Sequence, residues 1–380
     1  MTRELDLILE NHLQNLIRMK QIKHAVLAVE SLDGSYKWSN AVGIAQPDGT
    51  LMTPATPFCI ASVTKLHIAV TILKLYEQGR VSIDQPMSSY LPSNLIKGLH
   101  RSGTEDNSEK ITLRHLLEHS SGLPDYLEIR SKNQKSIFDT VIEEGDRSWS
   151  RKDFLDIVRD FNTPLFAPQP LGSKKKKIRY SDTNYQLLIA IILEVTGQPF
   201  NEVFKEMIYE PLGLEHTFHP GTVLTNPELK PASLWYIDQP LNIPQALASF
   251  GDLYSTTDEL FTFMRALISG KIFKDPATLQ LMCREWNQFG FSLSALGPGW
   301  PIEYGLGIMR FRHPRFLTPF SPIPEVIGHT GVSGSWLFYC PPLKIMIAGN
   351  VSQITAAAVP FQIMPKILNS LQKTRNKNIK

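Results

Sequence analysis

Ser62 and Lys65 stand three residues apart in the run Phe58-Cys59-Ile60-Ala61-Ser62-Val63-Thr64-Lys65. That spacing sets a hydroxyl and an amine on one face of a helix. A serine at the N-terminal end of a helix lies beside backbone N–H groups with no partner inside the helix, and beside the positive end of the helix dipole. Both suit negative charge developing on an attacked carbonyl. A lysine one turn on can take the serine proton when neutral, and burial drives its pKa in that direction. The same residues also fit a plain helix start, with Ser62 as N-cap and Lys65 facing solvent. The flanks favour the chemical reading. An apolar run enters from Phe58, and an amphipathic helix leaves through Leu66, Ala69, Ile72, Leu73 and Tyr76 to stop at Gly79.

A second group is Tyr180-Ser181-Asp182, just ahead of an apolar helix carrying Tyr185, Leu188, Ile192 and Val195. A tyrosine at a helix entry can point into a cleft, and neighbouring cations can stabilise its tyrosinate as a general base. Ser181 or Asp182 also fits as a helix cap, and the two roles are compatible. A third group is Gly328-His329-Thr330-Gly331-Val332-Ser333-Gly334. Small residues at the start of a strand let a ligand backbone come close, and an exposed edge there can pair with a peptide-like substrate. A glycine-rich turn is the plain alternative.

Together these segments resemble the serine β-lactamase and D,D-peptidase (penicillin-binding protein) superfamily, especially its class C β-lactamase-like and family VIII carboxylesterase branch. Two further stretches add to the likeness: Ile111 to Leu117 with Ser120-Ser121-Gly122-Leu123, and Gly251-Asp252-Leu253-Tyr254-Ser255-Thr256. The likeness runs from about residue 20 to residue 350. It implies that Ser62 forms an acyl-enzyme while Lys65 and Tyr180 relay its proton. It implies an oxyanion hole from the N–H groups of Ser62 and Val332, and substrate contacts from His329, Thr330 and Gly331. No metal or organic cofactor is implied, and the partner is a small-molecule or short-peptide substrate.

Two departures bear on activity. Asp182 stands where the family most often has Asn, and a carboxylate beside Lys65 favours the ammonium and shifts the base role toward Tyr180. Asp182 could instead serve mainly as a cap. His329 replaces the lysine of Lys-Thr-Gly, which removes a permanent cation for a substrate carboxylate. A peptidase or esterase is therefore expected ahead of a class C-like β-lactamase. A catalytically silent relative that binds a ligand or assembles with itself is the reading outside enzymes. A zinc site on His115 and His119 lacks the His-Glu-x-x-His order and a partner ligand. His119 is expected instead to order the turn before Gly122. Gly331-Val332-Ser333-Gly334-Ser335 misses the Gly-x-Ser-x-Gly elbow of α/β-hydrolases by one position.

Elements that position these groups follow from periodicity. Residues 4–20 read as a helix, Ala25 to Val29 and Tyr36 to Ile44 as a hairpin, and Arg101 to Lys110 as a loop. Ile111 to His119, Arg151 to Asp160, Thr183 to Val195 and Thr257 to Ile268 read as helices. Gly305 to Ile308, Ser335 to Tyr339 and Lys344 to Ala348 read as strands, and a last helix begins near Ala356. Strands gather at both chain ends and helices between them. The expected class is therefore α+β: a β-lactamase-like fold whose antiparallel sheet is built from both ends, flanked by helices, with a helical region inserted. Residues 1–80 and 290–380 make the sheet part, 81–289 the mainly helical part, and the two form one composite catalytic unit. Residues 285–304 are expected to roof the cleft at their seam.

With 42% hydrophobic and 20% charged residues in 380, the chain can bury a large core without disulfides. Three scattered cysteines make no framework, and Cys59 reads as a small buried hydrophobe. A net charge of +3 is too small to imply nucleic acid, and Lys174 to Lys177 reads as a solvated loop. No stretch reaches the roughly 20 apolar residues of a membrane span. The start does not read as a signal peptide, so a cytoplasmic location is the default expectation. Oligomeric state is left open.

Overall fold

The computed structural model describes residues 2–130, 135–222, 229–290, 299, 301–313 and 322–377. Eight strands form the main sheet: His24–Ser31 (β1), Lys37–Gly43 (β2), Asn287–Gln288 (β3), Ile302–Tyr304 (β4), Met309–Phe311 (β5), Val326–Gly331 (β6), Ser335–Cys340 (β7) and Ile345–Asn350 (β8). Their order is β2-β1-β8-β7-β6-β5-β4-β3, with antiparallel pairing throughout. The chain ends meet where β1 pairs β8, from Val26 opposite Asn350 to Ser31 opposite Ile345.

Strand alternation sends successive side chains into two cores. Ala25, Leu27 and Val29, with Trp336, Phe338 and Ile347, face the layer of helices α1 (Thr2–Ile17) and α5 (Val359–Lys377). Leu5, Leu9, Leu13 and Leu16 of α1 are all buried there. Each such side chain contributes roughly 1.5–3 kcal/mol by leaving water. Val26 and Ala28, with Leu337, Met346 and Ala348, belong to the opposite core. A one-residue slip would exchange the two sets, which is why both faces specify register. On that second side lie α2 (Thr64–Glu77) and α3 (Asp182–Thr196), packed on each other, and α4 (Thr257–Ile268), packed on β1, β7 and β8.

The α+β architecture agrees with the expectation, and several details differ. α4 and β3 fall inside the stretch assigned to the helical insert, yet one packs on the sheet and the other forms its edge. The expected strand Gly305 to Ile308 is the turn joining β4 to β5, closed by Gly305 N–H to the Ile308 carbonyl at 2.8 Å. Gly307 takes a φ of 77° there, and a Cβ on it would lie 2.1 Å from that of Ala69. The first helix ends at Ile17, and the helix before His119 spans only Leu113–Leu117. The loop from Arg101 holds a short hairpin, Arg101–Ser102 against Glu105–Asp106. Among the described residues no single helix is long and apolar enough to cross a membrane.

The lysine run is only partly solvated. Lys176 turns inward, its side chain 0% exposed, and pairs at 2.9 Å with Glu118, itself 1% exposed. Ser120 Oγ donates to Glu118 at 2.7 Å, and Asn287 Nδ2 does so at 3.3 Å. Glu285 meets Lys176 from the other side at 3.3 Å. This pair ties the loop before Tyr180 to the turn at His119. Breaking a buried pair strands one charge, so Lys176→Met should lower unfolding stability by about 3–5 kcal/mol. Adding Glu118→Leu should recover much of that loss, as read by urea melts of the single and double variants.

Candidate active site

The turn that carries Ser62 is pinned from two sides. Phe58–Cys59 pairs with Tyr254–Ser255, and Ile60 N–H donates to the Leu253 carbonyl at 2.9 Å. From the sheet, Ser333 Oγ donates to the Cys59 carbonyl (2.8 Å), Ser335 Oγ to that of Ile60 (2.6 Å), and Asn350 Nδ2 to that of Cys59 (3.3 Å). These contacts hold Ala61 at a φ of 46°, a left-handed conformation that costs a non-glycine residue about 1–3 kcal/mol. Gly331 lies against the same turn. A Cβ on it would fall 2.5 Å from the Ile60 carbonyl oxygen and 2.4 Å from Ser335 Oγ. Ala61–Val63 make one 3₁₀ turn, and α2 starts at Thr64 without a side-chain cap. Ser62 is thus not a helix cap, and Cys59 is buried as expected.

Lys65 sits one turn further on with its side chain only 6% exposed. Its Nζ donates to Ser62 Oγ at 3.0 Å and forms an ion pair with Asp182. The Tyr180 hydroxyl interacts with both Lys65 and Ser62, and the Lys65 ammonium lies 5.0 Å from the Tyr180 ring centre. Burial opposes the charge on Lys65, but the carboxylate of Asp182 and the oxygen of Tyr180 outweigh it and raise its pKa above the ordinary lysine range. Of the two opposing influences read in the sequence, burial and the Asp182 carboxylate, the carboxylate is the one that prevails. Burial pushes the Tyr180 phenol up as well, with Lys65 pulling the other way and Asp182 adding to the rise. At neutral pH the resting pair is an ammonium and a phenol.

Residues 119–126 clasp the segment Tyr180 to Asn184. Ser181 and Thr183 both donate to the Pro124 carbonyl, at 3.1 and 2.7 Å. Asp182 N–H donates to Asp125 Oδ2 (3.0 Å), and Ser121 Oγ to Asn184 Oδ1 (2.6 Å). His119, at a φ of 59°, accepts at Nδ1 from Ser181 N–H (3.3 Å) and Asn184 Nδ2 (3.0 Å). Its ring packs among those of Tyr180, Tyr185 and Tyr304. Burial, then Lys65, keeps it neutral. It orders this turn as expected, while His115 faces away to cap Leu113–Leu117 and reach the Gln169 carbonyl. Asp182 occupies the first turn of α3 but spends its carboxylate on Lys65, so it is no cap.

His329 is placed otherwise than the motif suggests. It is fully buried and does not line the cavity at Ser62. Its Nδ1–H donates to the Thr330 carbonyl (2.7 Å), and its Nε2 accepts from the Tyr304 hydroxyl (2.9 Å). Burial, with Lys65 adding to the effect, drives its pKa down to about 3, so it is a neutral imidazole. Contact with substrate is thus closed to His329 in this geometry. The Thr330 side chain is buried toward Met309. β6 pairs with β7 over Ile327 to Gly331 but with β5 only over Val326 to Gly328, so among the described residues its last positions have no strand on that side.

Ser62, Lys65, Asp182 and Val332 line a cavity of about 90 Å³ whose far walls are apolar, including Tyr126, Phe138 and Phe250. Tyr180 opens on a second cleft of about 630 Å³ with Lys177, Arg179 and Gln288. Of the expected roof, Gln288 and Gly290 line this cleft, while 291–298 and 300 lie outside the described residues. Sequence reasoning missed Asp125, Tyr304, Ser333, Ser335, Asn350 and the role of Lys176. Only Ser333 and Ser335 stood in a segment already marked by its glycines.

Known proteins share this arrangement of elements. A family model described as Beta-lactamase matches residues 9–355. The putative penicillin-binding protein PbpX of Bacillus subtilis (strain 168) is 27% identical over 226 residues, covering 58% of this chain and 48% of that protein, so the chain spans about half its length. Esterase EstB of Burkholderia gladioli is 26% identical over 315 residues, 76% of each chain. A D-stereospecific amidohydrolase from Streptomyces sp. superposes with a TM-score of 0.71 at 25% identity, covering 94% of this chain and 97% of that one. Because the family match spans the Ser62 turn, the Tyr180 segment and β6 alike, the chain belongs to the Beta-lactamase family, whose members are serine hydrolases.

Proposed function

We propose that this protein cleaves an amide or ester bond in a small-molecule or short-peptide substrate through an acyl-enzyme on Ser62. The observation that supports this most directly is the Lys65 ammonium 3.0 Å from Ser62 Oγ, with the Tyr180 hydroxyl interacting with both. Ser62 Oγ attacks the carbonyl carbon. Its proton passes to the Tyr180 oxygen as the Tyr180 proton passes to the leaving nitrogen or oxygen, so the C–O bond forms and the C–N or C–O bond breaks with no net change on the phenol. Lys65 stays charged and stabilises the developing alkoxide. The Ser62 and Val332 N–H groups hold the carbonyl oxygen. Water then enters by the reverse relay and releases the acid.

Peptidase, amidase or esterase chemistry is favoured over β-lactam hydrolysis because the neutral, buried His329 offers no cation to a substrate carboxylate. Relatives with penicillin-binding, esterase and amidohydrolase names fit that range. Three free cysteines, two of them buried, support a reducing location such as the cytoplasm.

A fluorophosphonate probe should add one equivalent to the wild type, located on Ser62 by intact and peptide mass, and none to Ser62→Ala. Absence of any adduct with every acylating probe would favour the silent, ligand-binding relative instead. Tyr180→Phe and Lys65→Met should each lower kcat on p-nitrophenyl esters by about 10²–10⁴-fold with an unchanged far-ultraviolet spectrum. Near-normal rates in both would remove Tyr180 from the relay and Lys65 from stabilising the alkoxide.

The pKa directions set a pH profile. Both Lys65 and Tyr180 lose their protons above their ordinary values. The alkaline limb of kcat/KM in the wild type should therefore lie above about pH 10, the ordinary tyrosine value. Asp182→Asn removes the carboxylate that offsets burial, so the Lys65 pKa falls and that limb should move to lower pH. An unmoved limb would show that Lys65 ionisation does not govern it.

A further inference from the structure

Asp252 is a second carboxyl group in the wall of the Ser62 cavity, and the relay makes no use of it. It precedes Leu253, whose carbonyl takes the Ile60 N–H, so the main chain sets it beside the Ser62 turn. Its own N–H is spent on the Leu247 carbonyl at 3.0 Å, and its main chain meets the His219 ring. Among the described residues no ion pair or side-chain hydrogen bond engages its carboxyl group, in contrast to Asp182 and Asp125.

Among the described residues the cavity wall carries one basic and two acidic side chains, Lys65, Asp182 and Asp252. The single cation is already divided between Ser62 and Asp182. The remainder is largely apolar, with Ile68, Phe138, Val141, Leu247 and Phe250 among the walls. Burial pushes the Asp252 carboxyl up to about 7, with Lys65 pulling down and Asp182 pushing up. Tyr126, Cys59 and Tyr254 also face it and supply no positive charge. A recessed carboxyl without a counter-ion, in an apolar pocket shared with a nucleophile, is completed by a cation that arrives with the ligand. Ser62 and Asp252 line the same cavity, so that cation and the attacked carbonyl belong to one ligand.

We infer that Asp252 reads a free ammonium group on the acyl side of the substrate, making the substrate class amides or esters of amino acids with an unmodified amino group and an apolar side chain. The inference rests on Ser62 being the acylated residue. Asp252 acts as a specificity residue and takes no part in proton relay. The ionised carboxyl and the ammonium are both required, so such ligands should bind most tightly near neutral pH, weakening below it as Asp252 gains a proton and above about pH 8 as the ligand's amine loses one.

The test compares phenylalanine p-nitroanilide, in both enantiomers, with 3-phenylpropionyl p-nitroanilide, which lacks only the amino group. The wild type should prefer the amino substrate, and Asp252→Asn should cut the kcat/KM ratio by about 10–100-fold, the value of one hydrogen bond to a charged group. A ratio unchanged by the substitution, or a wild type that prefers the desamino compound, overturns the inference. Calorimetric binding of phenylalaninamide and 3-phenylpropionamide to Ser62→Ala, and to the same protein carrying Asp252→Asn, reads recognition without turnover. Preference in the first protein and its loss in the second support the inference; equal affinities overturn it. Mass detection of the phenylalanyl adduct on Ser62 separates the two readings. Ammonium-dependent binding without that adduct removes the acyl-enzyme and keeps Asp252 as the reader.

Discussion

Everything in this site depends on one ammonium kept charged inside the protein. Lys65 lies almost out of solvent, and an isolated charge there would cost several kcal/mol in lost hydration. Asp182 supplies the opposite charge, while the oxygens of Ser62 and Tyr180 complete its shell. These contacts join α2 to the start of α3, so the pair that sets the chemistry also joins two helices of the core. An asparagine in place of Asp182 would leave the amine closer to neutral. In the proposed mechanism the carboxylate therefore favours a relay in which Lys65 supplies charge and Tyr180 moves the proton.

Positioning comes from the sheet. Cys59 and Ile60 are held by Ser333, Ser335 and Asn350, at separations of 274, 275 and 291 residues. The donors reach the turn from β7, β8 and the loop before β7, and the end of β6 brings Gly331 against Ala61. The strained φ of Ala61 is thus maintained by contacts that exist only in the finished fold. The clasp of residues 119–126 on Tyr180 to Asn184 does the same for the second half of the site, and the buried Lys176–Glu118 pair anchors its approach.

Replacing a lysine by His329 has a consequence beyond the lost charge. An imidazole fits in the sheet interior between the Thr330 carbonyl and Tyr304, where it is fully bonded and neutral. Among the described residues the cavity is left with Asp252 as a second carboxyl group and with Lys65, already paired with Asp182, as its basic side chain.

Local features were readable from the chain because they depend on near neighbours. Three-residue spacing placed Ser62 beside Lys65, helix periodicity placed Tyr180 and Asp182 at the entry to α3, and strand-rich ends announced a sheet closed by both termini. Lys176 looked solvated because a run of four lysines says nothing of a glutamate 58 residues away. His329 looked accessible because burial on both faces of a sheet is not written in one strand, and nothing in the run Gly251 to Thr256 set Asp252 apart. Residue types and short spacings determined which groups could do chemistry. Only tertiary structure decided which were charged, buried or free to meet a ligand, since desolvation and pairing depend on neighbours brought together across hundreds of residues.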